Sequence, residues 1–84
     1  MPEPTTLDLE DLRATIAEIV DVDVDEVTDT ADFKEDLDVD SLLALEILVR
    51  LERKYQVKLS ESNLQKVRSL KETYDLLAEQ LEAA

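Results

Sequence analysis

Residues 37–55 read LDVDSLLALEILVRLERKY, and this stretch decides the fold of the chain. An acidic, irregular segment ends at Asp40, and a strongly apolar segment with helical periodicity begins at Ser41. We therefore predict a helix over residues 41–55 that opens on a serine. A side chain at such a junction is displayed to an incoming enzyme, so the function of the chain turns on the role of Ser41.

The position of Ser41 allows two interpretations. Serine is a preferred residue at the N-cap of a helix, so Ser41 is either the cap itself or a hydroxyl available for chemistry. Aspartate is an equally good cap, which means that Asp40 can take the structural role instead. Both roles can also be combined in Ser41.

Helical periodicity extends to the N-terminal side of this segment. Apolar residues recur there at spacings of three and four, at Leu9, Leu12, Ile16 and Ile19. This pattern predicts a first helix that ends near Val20. Thr5 or Thr6 is the predicted cap, because a hydroxyl side chain suits that position.

Two further helices are predicted towards the C-terminus. Ser62 and Gln65 fit a capping box, which indicates a short third helix near residues 62–67. Ser69 and Glu72 form a second capping box that opens the last helix. One face of this last helix is expected to carry Leu70, Tyr74, Leu77 and Leu81.

Residues 21–40 lose the helical stripe and are expected to form a long loop. Four spaced apolar residues are predicted to anchor this loop to the core, namely Val24, Val27, Phe33 and Leu37. Residues 32–36 are expected to form a short turn of helix. The predicted fold is therefore all-α, a small four-helix bundle with three main helices, one short helix and a long loop between helices 1 and 2. We expect a single domain over residues 1–84, with an ordered core from about residue 6 to residue 82.

The composition excludes several classes of function. The chain has 84 residues and contains no cysteine and no histidine, so it has no thiolate nucleophile and no Ser-His or Cys-His triad. No apolar run approaches the roughly 18 residues of a membrane span, and no signal peptide is recognised. A cytoplasmic location is therefore expected.

The negative charge is concentrated in the first half of the chain. The net charge is −13, and residues 1–40 hold 15 acidic residues against Arg13 and Lys34, whereas residues 41–84 are neutral overall. Such a field repels nucleic acid and attracts partners with basic surfaces. We therefore expect no nucleic acid partner.

The residues around Ser41 resemble those of acyl carrier proteins. The resemblance rests on Asp40-Ser41-Leu42 at the start of the helix, on the acidic Glu35-Asp36-Leu37 before it and on LERKY at residues 51–55. It covers about residues 8–82 of the chain. An Asp-Ser-Leu tripeptide is common by itself, and its place after a long acidic loop makes the resemblance specific.

The resemblance implies a carrier and not an enzyme. Ser41 would receive a 4′-phosphopantetheine arm from coenzyme A through a separate phosphopantetheinyl transferase, and the arm's thiol would hold acyl intermediates as thioesters in fatty-acid or polyketide-type biosynthesis. Asp40 would help the transferase to position its magnesium. The chain itself would have no catalytic residue and no metal site.

The helix over residues 41–55 has more apolar residues than one buried stripe requires. Leu45, Leu48 and Leu51 are predicted to serve the core. By resemblance, a second face of the helix is presented to partner enzymes, with Leu42, Glu46 and Val49 in line at i, i+4 and i+7. The full set of predicted docking residues is Leu42, Glu46, Val49, Glu52 and Arg53. The alternative is that all apolar residues of the helix are core.

The implied partners, beyond the transferase, are an acyltransferase, a ketosynthase and other synthase enzymes with basic docking surfaces, and the carrier is expected to be a monomer. The chain departs from the usual pattern of fatty-acid carriers by the positive charges of Arg50, Arg53 and Lys54. A further departure is Asp38, where the family commonly has glycine; aspartate tolerates a left-handed conformation better than most residues. We interpret both departures as favouring a specialised, polyketide-type carrier.

Three other interpretations stay open at this point. A peptidyl carrier uses the same kind of arm, and a helical interaction module needs no modification. Five aspartates also have the spacing of an EF-hand loop, namely Asp21, Asp23, Asp25, Asp29 and Asp32. A calcium site is not favoured, because Glu26 stands where that loop requires glycine and Asp32 is shorter than the usual glutamate.

Overall fold

The computed structural model describes residues 7–83, and this part of the chain is all-helical and contains no strand. The elements in chain order are α1 (Leu9–Val20), a first 3₁₀ helix (Val24–Glu26), α2 (Ser41–Tyr55), a second 3₁₀ helix (Glu61–Lys66) and α3 (Leu70–Ala83). We call residues 21–40, between α1 and α2, loop 1. The predicted all-α fold with three main helices and a long first loop is confirmed. Within residues 7–83 the structure has two short helices where we predicted one, and the additional one lies in loop 1 at Val24–Glu26.

α1 begins one residue after Asp8, whose carboxylate accepts a hydrogen bond of 3.0 Å from the backbone N–H of Glu10. The predicted caps Thr5 and Thr6 lie outside the described residues, and the cap that the structure shows is Asp8. An acidic cap suits this position because the N-terminus of a helix carries a partial positive charge.

Three non-glycine residues within the range 7–83 have a left-handed backbone conformation. Asp21 ends α1 with φ 62°, Gln56 ends α2 with φ 53°, and Asp38 lies in loop 1 with φ 57°. The chain contains no glycine, so these turns must be made by residues that carry a Cβ atom. The left-handed conformation costs such a residue about 1 kcal/mol or more, and aspartate tolerates it because its short side chain can bond locally.

The core lies where the three helices and loop 1 meet. From α2 it receives Ile47, Leu48, Leu51 and Tyr55. Leu45, which we predicted to be core, is only partly buried, and Ile47 takes its place. In α3 the apolar face predicted to carry Leu70, Tyr74, Leu77 and Leu81 is only partly the buried one, because Leu76 is buried with Leu70 and Leu77. Tyr74 and Leu81 are partly buried.

Loop 1 is anchored to the core by three of the four predicted residues. Val27, Phe33 and Leu37 are buried. The prediction for Val24 is wrong, because this residue opens the exposed first 3₁₀ helix and its side chain is 45% exposed. A 3₁₀ turn of three residues leaves no periodic signal in the sequence, and Val27 is the first residue after the turn to reach the core.

Backbone hydrogen bonds fix loop 1 to the segment before α3. The N–H of Phe33 donates to the carbonyl oxygen of Arg68 at 2.7 Å, and the N–H of Lys71 donates to that of Asp29 at 3.1 Å. The N–H of Val39 donates to the carbonyl oxygen of Phe33 at 2.9 Å, which closes the loop on itself just before α2. The residues that lead into α2 are therefore held in place by bonds to the segment around the start of α3 and by a bond within loop 1.

The turn predicted for residues 32–36 is present and is organised by Asp32. Its carboxylate accepts hydrogen bonds from the backbone N–H groups of Lys34 at 2.9 Å and Glu35 at 3.0 Å. The bond from Glu35 lowers the pKa of Asp32 below its usual value, and the amide of Lys34 and the charges of Arg68 and Lys34 act in the same direction.

The side chains of Asp11 and Arg13 connect α1 to the rest of the fold through polar contacts. The buried Tyr55 donates its hydroxyl to the Asp11 carboxylate at 3.1 Å, and burial raises the pKa of Tyr55. The guanidinium of Arg13 donates to the carbonyl oxygen of Val27 and forms an ion pair of 2.6 Å with Asp29. Arg13 thereby holds loop 1 against α1.

The capping predictions for the last two helices have different outcomes. We predicted that Ser62 and Gln65 cap the second 3₁₀ helix, but the cap lies two residues earlier, at Ser60. There the Asn63 side chain accepts a hydrogen bond of 2.8 Å from the N–H of Ser60. The hydroxyl of Ser69 accepts a hydrogen bond of 3.2 Å from the N–H of Glu72, as predicted for the start of α3.

The two valines of loop 1 provide a matched test of this anchoring. Val27→Ala should lower the free energy of unfolding by about 2 kcal/mol, because it removes buried methyl groups and leaves a cavity. Val24→Ala should change it by less than about 0.5 kcal/mol, because this side chain is exposed. Chemical denaturation of both variants checks the difference, and equal losses would show that Val24 is an anchor after all.

Candidate functional site

α2 is started by the side chain of Asp40. Its Oδ1 atom accepts a hydrogen bond of 2.8 Å from the N–H of Leu43, and its carbonyl oxygen accepts the first helical hydrogen bond, from Ala44, at 2.9 Å. The backbone of Asp40 is extended, with φ −89° and ψ −177°, as expected for an N-cap residue. Asp40 is therefore the cap, and Ser41 is the first residue inside the helix.

The hydroxyl of Ser41 is left without a structural role. Ser41 is exposed, and its side chain makes no hydrogen bond to any residue in the range 7–83. The interpretation of Ser41 as a cap alone is wrong, because Asp40 makes the capping bond. The hydroxyl stands at a helix N-terminus, where backbone N–H groups and the helix dipole favour a negatively charged substituent such as a phosphodiester.

A pocket of about 290 Å³ opens beside Ser41. Its apolar lining comes from three parts of the chain, namely Phe33 and Val39 of loop 1, Ala44 of α2, and Leu64 and Val67 of the segment before α3. The charged groups that line it are Lys34, Asp40 and Arg68. Sequence reasoning did not find this pocket, because residues distant in the chain build it.

The outer face of α2 exposes two large apolar side chains. Leu42 is 78% exposed and Val49 is 43% exposed, and Glu46 lies between them on the surface. The alternative in which every apolar residue of α2 belongs to the core is therefore wrong. Arg53 is also exposed and continues the same line towards the end of the helix.

Glu52, which the sequence placed among the docking residues, makes a structural contact. Its Oε2 atom accepts a hydrogen bond of 2.8 Å from the N–H of Leu59, and the residue is partly buried. This carboxylate orders the chain after α2 and has less freedom to meet a partner.

The geometry can be compared with known proteins. The family model for the phosphopantetheine attachment site matches residues 10–77. The chain is 59% identical over 83 residues to polyketide-8 synthase acyl carrier protein 2 of Streptomyces avermitilis, which covers 96% of this chain and 95% of that protein. The chain belongs to the acyl carrier protein family. The resemblance found in the sequence is thus confirmed, together with the covalent 4′-phosphopantetheine that proteins of this family carry.

Two further acyl carrier proteins agree with this membership. Polyketide-8 synthase acyl carrier protein 1 of the same Streptomyces strain is 37% identical over 70 residues, with 83% of each chain covered. The solved structure of an acyl carrier protein from Enterococcus faecalis has a TM-score of 0.68 at 25% identity, and the match covers 86% of this chain and 96% of that one. The related proteins are carriers and not catalysts.

The other predictions about the site have these outcomes. The aspartates of loop 1 do not assemble a ligand set, since no group of three or more acidic, histidine or cysteine side chains between residues 7 and 83 is placed to hold a metal ion. Within the same range, no helix combines the length and the apolar character that a membrane crossing requires. The single domain over residues 1–84 and the cytoplasmic location stay predictions.

Substitutions at the two neighbouring residues should separate the cap from the free hydroxyl. Asp40→Ala should lower the free energy of unfolding of the unmodified protein by about 1 kcal/mol, and Asp40→Asn should retain most of that stability. Ser41→Ala should change the free energy by less than about 0.5 kcal/mol, because this hydroxyl makes no bond in the fold. Denaturation curves measure all three variants, and a larger loss for Ser41→Ala than for Asp40→Ala would assign the cap to the serine.

Proposed function

We propose that this chain is an acyl carrier protein of a polyketide synthase and that Ser41 carries its 4′-phosphopantetheine arm. The observation that carries the proposal is the exposed, unbonded hydroxyl of Ser41 beside a neighbouring cap that makes it structurally dispensable. The two Streptomyces relatives, both named as polyketide synthase carriers, support the pathway. Their names also favour acyl groups over the aminoacyl groups of peptidyl carriers.

The arm and the residues of the chain have separate roles in this function. The arm supplies a thiol that forms thioesters, which a chain without cysteine cannot provide itself. The hydroxyl of Ser41 supplies the attachment oxygen, and the start of α2 favours the negative charge of the phosphodiester. Asp40 keeps a second carboxylate oxygen, Oδ2, that makes no hydrogen bond within the described residues and can face the magnesium of the transferase.

Mass spectrometry tests the attachment. The purified protein is incubated with coenzyme A and a broad-specificity phosphopantetheinyl transferase, and we expect its mass to rise by one 4′-phosphopantetheine group. Ser41→Ala should show no increase. Ser62→Ala, which removes another exposed serine hydroxyl, should be modified like the original protein.

Two results would count against the proposal. A protein that gains no mass would be an unmodified interaction module, and a gain that persists in Ser41→Ala would place the arm elsewhere. The denaturation measurements on Ser41→Ala show independently whether that variant is folded.

The exposed face of α2 is the docking surface in this proposal. Leu42 and Val49 offer apolar contact, Glu46 offers a negative charge between them, and Arg53 adds a positive charge at the far end. Partner enzymes with a basic surface are attracted to the acidic field of loop 1 and come to rest on this face. The acyltransferase, the ketosynthase and the other synthase enzymes are partners of this kind, and a monomeric carrier leaves the whole face available to them.

A pair of exposed valines tests the docking surface. Val49→Asp should raise the KM of the loaded carrier by about tenfold for an acyltransferase that uses acyl carrier proteins, because a charge then replaces an apolar contact. Val24→Asp is the matched control, since Val24 is exposed to the same degree but lies in the first 3₁₀ helix. Steady-state kinetics measure both variants, and equal KM values would remove Val49 from the docking surface.

A further inference from the structure

Two cationic side chains stand at the pocket beside Ser41 without an ion-pair partner. Lys34 and Arg68 line this pocket, and neither forms a salt bridge with another residue between positions 7 and 83. Lys34 is one of two basic residues in the first 40 positions, which hold 15 acidic ones. A cation that forms no salt bridge in such surroundings is available to an anion from outside the polypeptide fold.

The positions of the two cations are fixed by the backbone. The N–H of Phe33, the neighbour of Lys34, donates to the carbonyl oxygen of Arg68 at 2.7 Å. This bond joins loop 1 to the segment before α3 and brings the two side chains to the same pocket, although they are distant in sequence. Arg50 and Arg53 are also exposed cations, but they do not line this pocket.

Among the charged residues that line the pocket, the cations outnumber the carboxylates. Its charged lining residues are two cations and the carboxylate of Asp40, and one oxygen of that carboxylate is already bonded to the N–H of Leu43. Asp32 does not line the pocket; its carboxylate accepts hydrogen bonds from the amides of Lys34 and Glu35, and the charges of Lys34 and Arg68 act on it without a salt bridge. The protein as a whole has a net charge of −13, so two cationic side chains at one pocket beside Ser41 stand out from the rest of the chain.

We propose that Lys34 and Arg68 bind the phosphodiester of the arm attached to Ser41 and hold the first part of the arm in this pocket. The inference rests on the proposed function, because it requires the arm to be on Ser41. A guanidinium can bond two phosphate oxygens at once, and an ammonium adds a compact positive charge. The apolar lining suits the methyl-bearing part of the arm that follows the phosphate.

The size of the pocket limits what it holds. Small-molecule sites in proteins usually measure about 300–1,000 Å³, and this pocket of about 290 Å³ lies at the lower end of that range. We therefore expect it to hold the first part of the arm and not the whole arm with its acyl group. The distal part with the thiol remains outside. Lys34 and Arg68 are thus positioning residues, which set the direction in which the arm leaves the protein.

This placement keeps the arm away from the docking surface. Leu42 and Val49 do not line the pocket, which is bounded by Ala44 on the opposite, partly buried side of α2. The arm and the partner enzyme would then occupy different sides of the same helix. When a partner enzyme binds the docking surface of α2, the first part of the arm already lies on the other side of the helix.

Nuclear magnetic resonance on the unmodified and the arm-bearing protein tests the inference. Both forms are labelled with ¹⁵N, and attachment is first verified by mass. We expect attachment to shift the amide signals of Phe33, Val39 and Val67 in addition to those next to Ser41. The ³¹P signal of the arm should show the broadening of a restrained group.

Charge-removing variants identify the groups responsible. The double variant Lys34→Gln with Arg68→Gln should lose the shifts at the pocket and sharpen the ³¹P signal. The double variant Lys58→Gln with Arg50→Gln removes one lysine and one arginine charge from positions outside the pocket. This control variant should retain the amide shifts at the pocket. The shifts should also be lost at about 1 M salt, where charges are screened beyond about 3 Å.

Each outcome decides the matter. Shifts confined to residues 40–43, or pocket shifts that survive Lys34→Gln with Arg68→Gln, would overturn this inference and leave the attachment to Ser41 intact. Failure of the mass increase would overturn the proposed function itself. The ¹⁵N spectra of the unmodified variants show that each is folded, and Lys34→Arg with Arg68→Lys should restore the pocket shifts because both charges are kept.

Discussion

The hydrogen bond from the N–H of Leu43 to the carboxylate of Asp40 is the interaction on which the function of this fold depends. It starts α2 one residue before Ser41 and satisfies one of the backbone N–H groups that any helix leaves open at its beginning. Because the neighbour performs the capping, the serine hydroxyl makes no bond in the fold and can be modified without loss of structure. An acidic cap thereby leaves the hydroxyl at the start of α2 free for the attachment that we propose.

Loop 1 gives this junction its surroundings. The bonds between Phe33 and Arg68 and between Lys71 and Asp29 connect the loop to the start of α3, and Arg13 holds it against α1. The backbone that leads to Asp40 is therefore held in one conformation, although loop 1 contains no long helix and carries much of the negative charge. The bond between Phe33 and Arg68 also brings together two of the segments that line the pocket beside Ser41, which is where we propose that the arm lies.

The sequence predicted what is local and missed what depends on distant contacts. The bounds of α2 were predicted at Ser41 and Tyr55 because capping and apolar periodicity lie within the segment itself. Val24 was misplaced because a short 3₁₀ turn has no periodic signal, and the cap of the second 3₁₀ helix was misplaced because Ser60 and Ser62 both fit the cap position. The proximity of Lys34 and Arg68 could not be predicted, since a single backbone bond between distant segments produces it.

Exchanging the two residues at the junction tests most directly whether the order of cap and hydroxyl makes the site. The double variant Asp40→Ser with Ser41→Asp keeps the composition, the charge and a good cap at position 40, so we expect its free energy of unfolding to change by less than about 1 kcal/mol. Its only hydroxyl at the junction is then bound in the cap. We predict that mass spectrometry finds no 4′-phosphopantetheine on this folded variant after incubation with coenzyme A and the transferase. Modification of the hydroxyl at position 40 at the original rate would contradict the claim that the hydroxyl must be free of the cap to carry the arm.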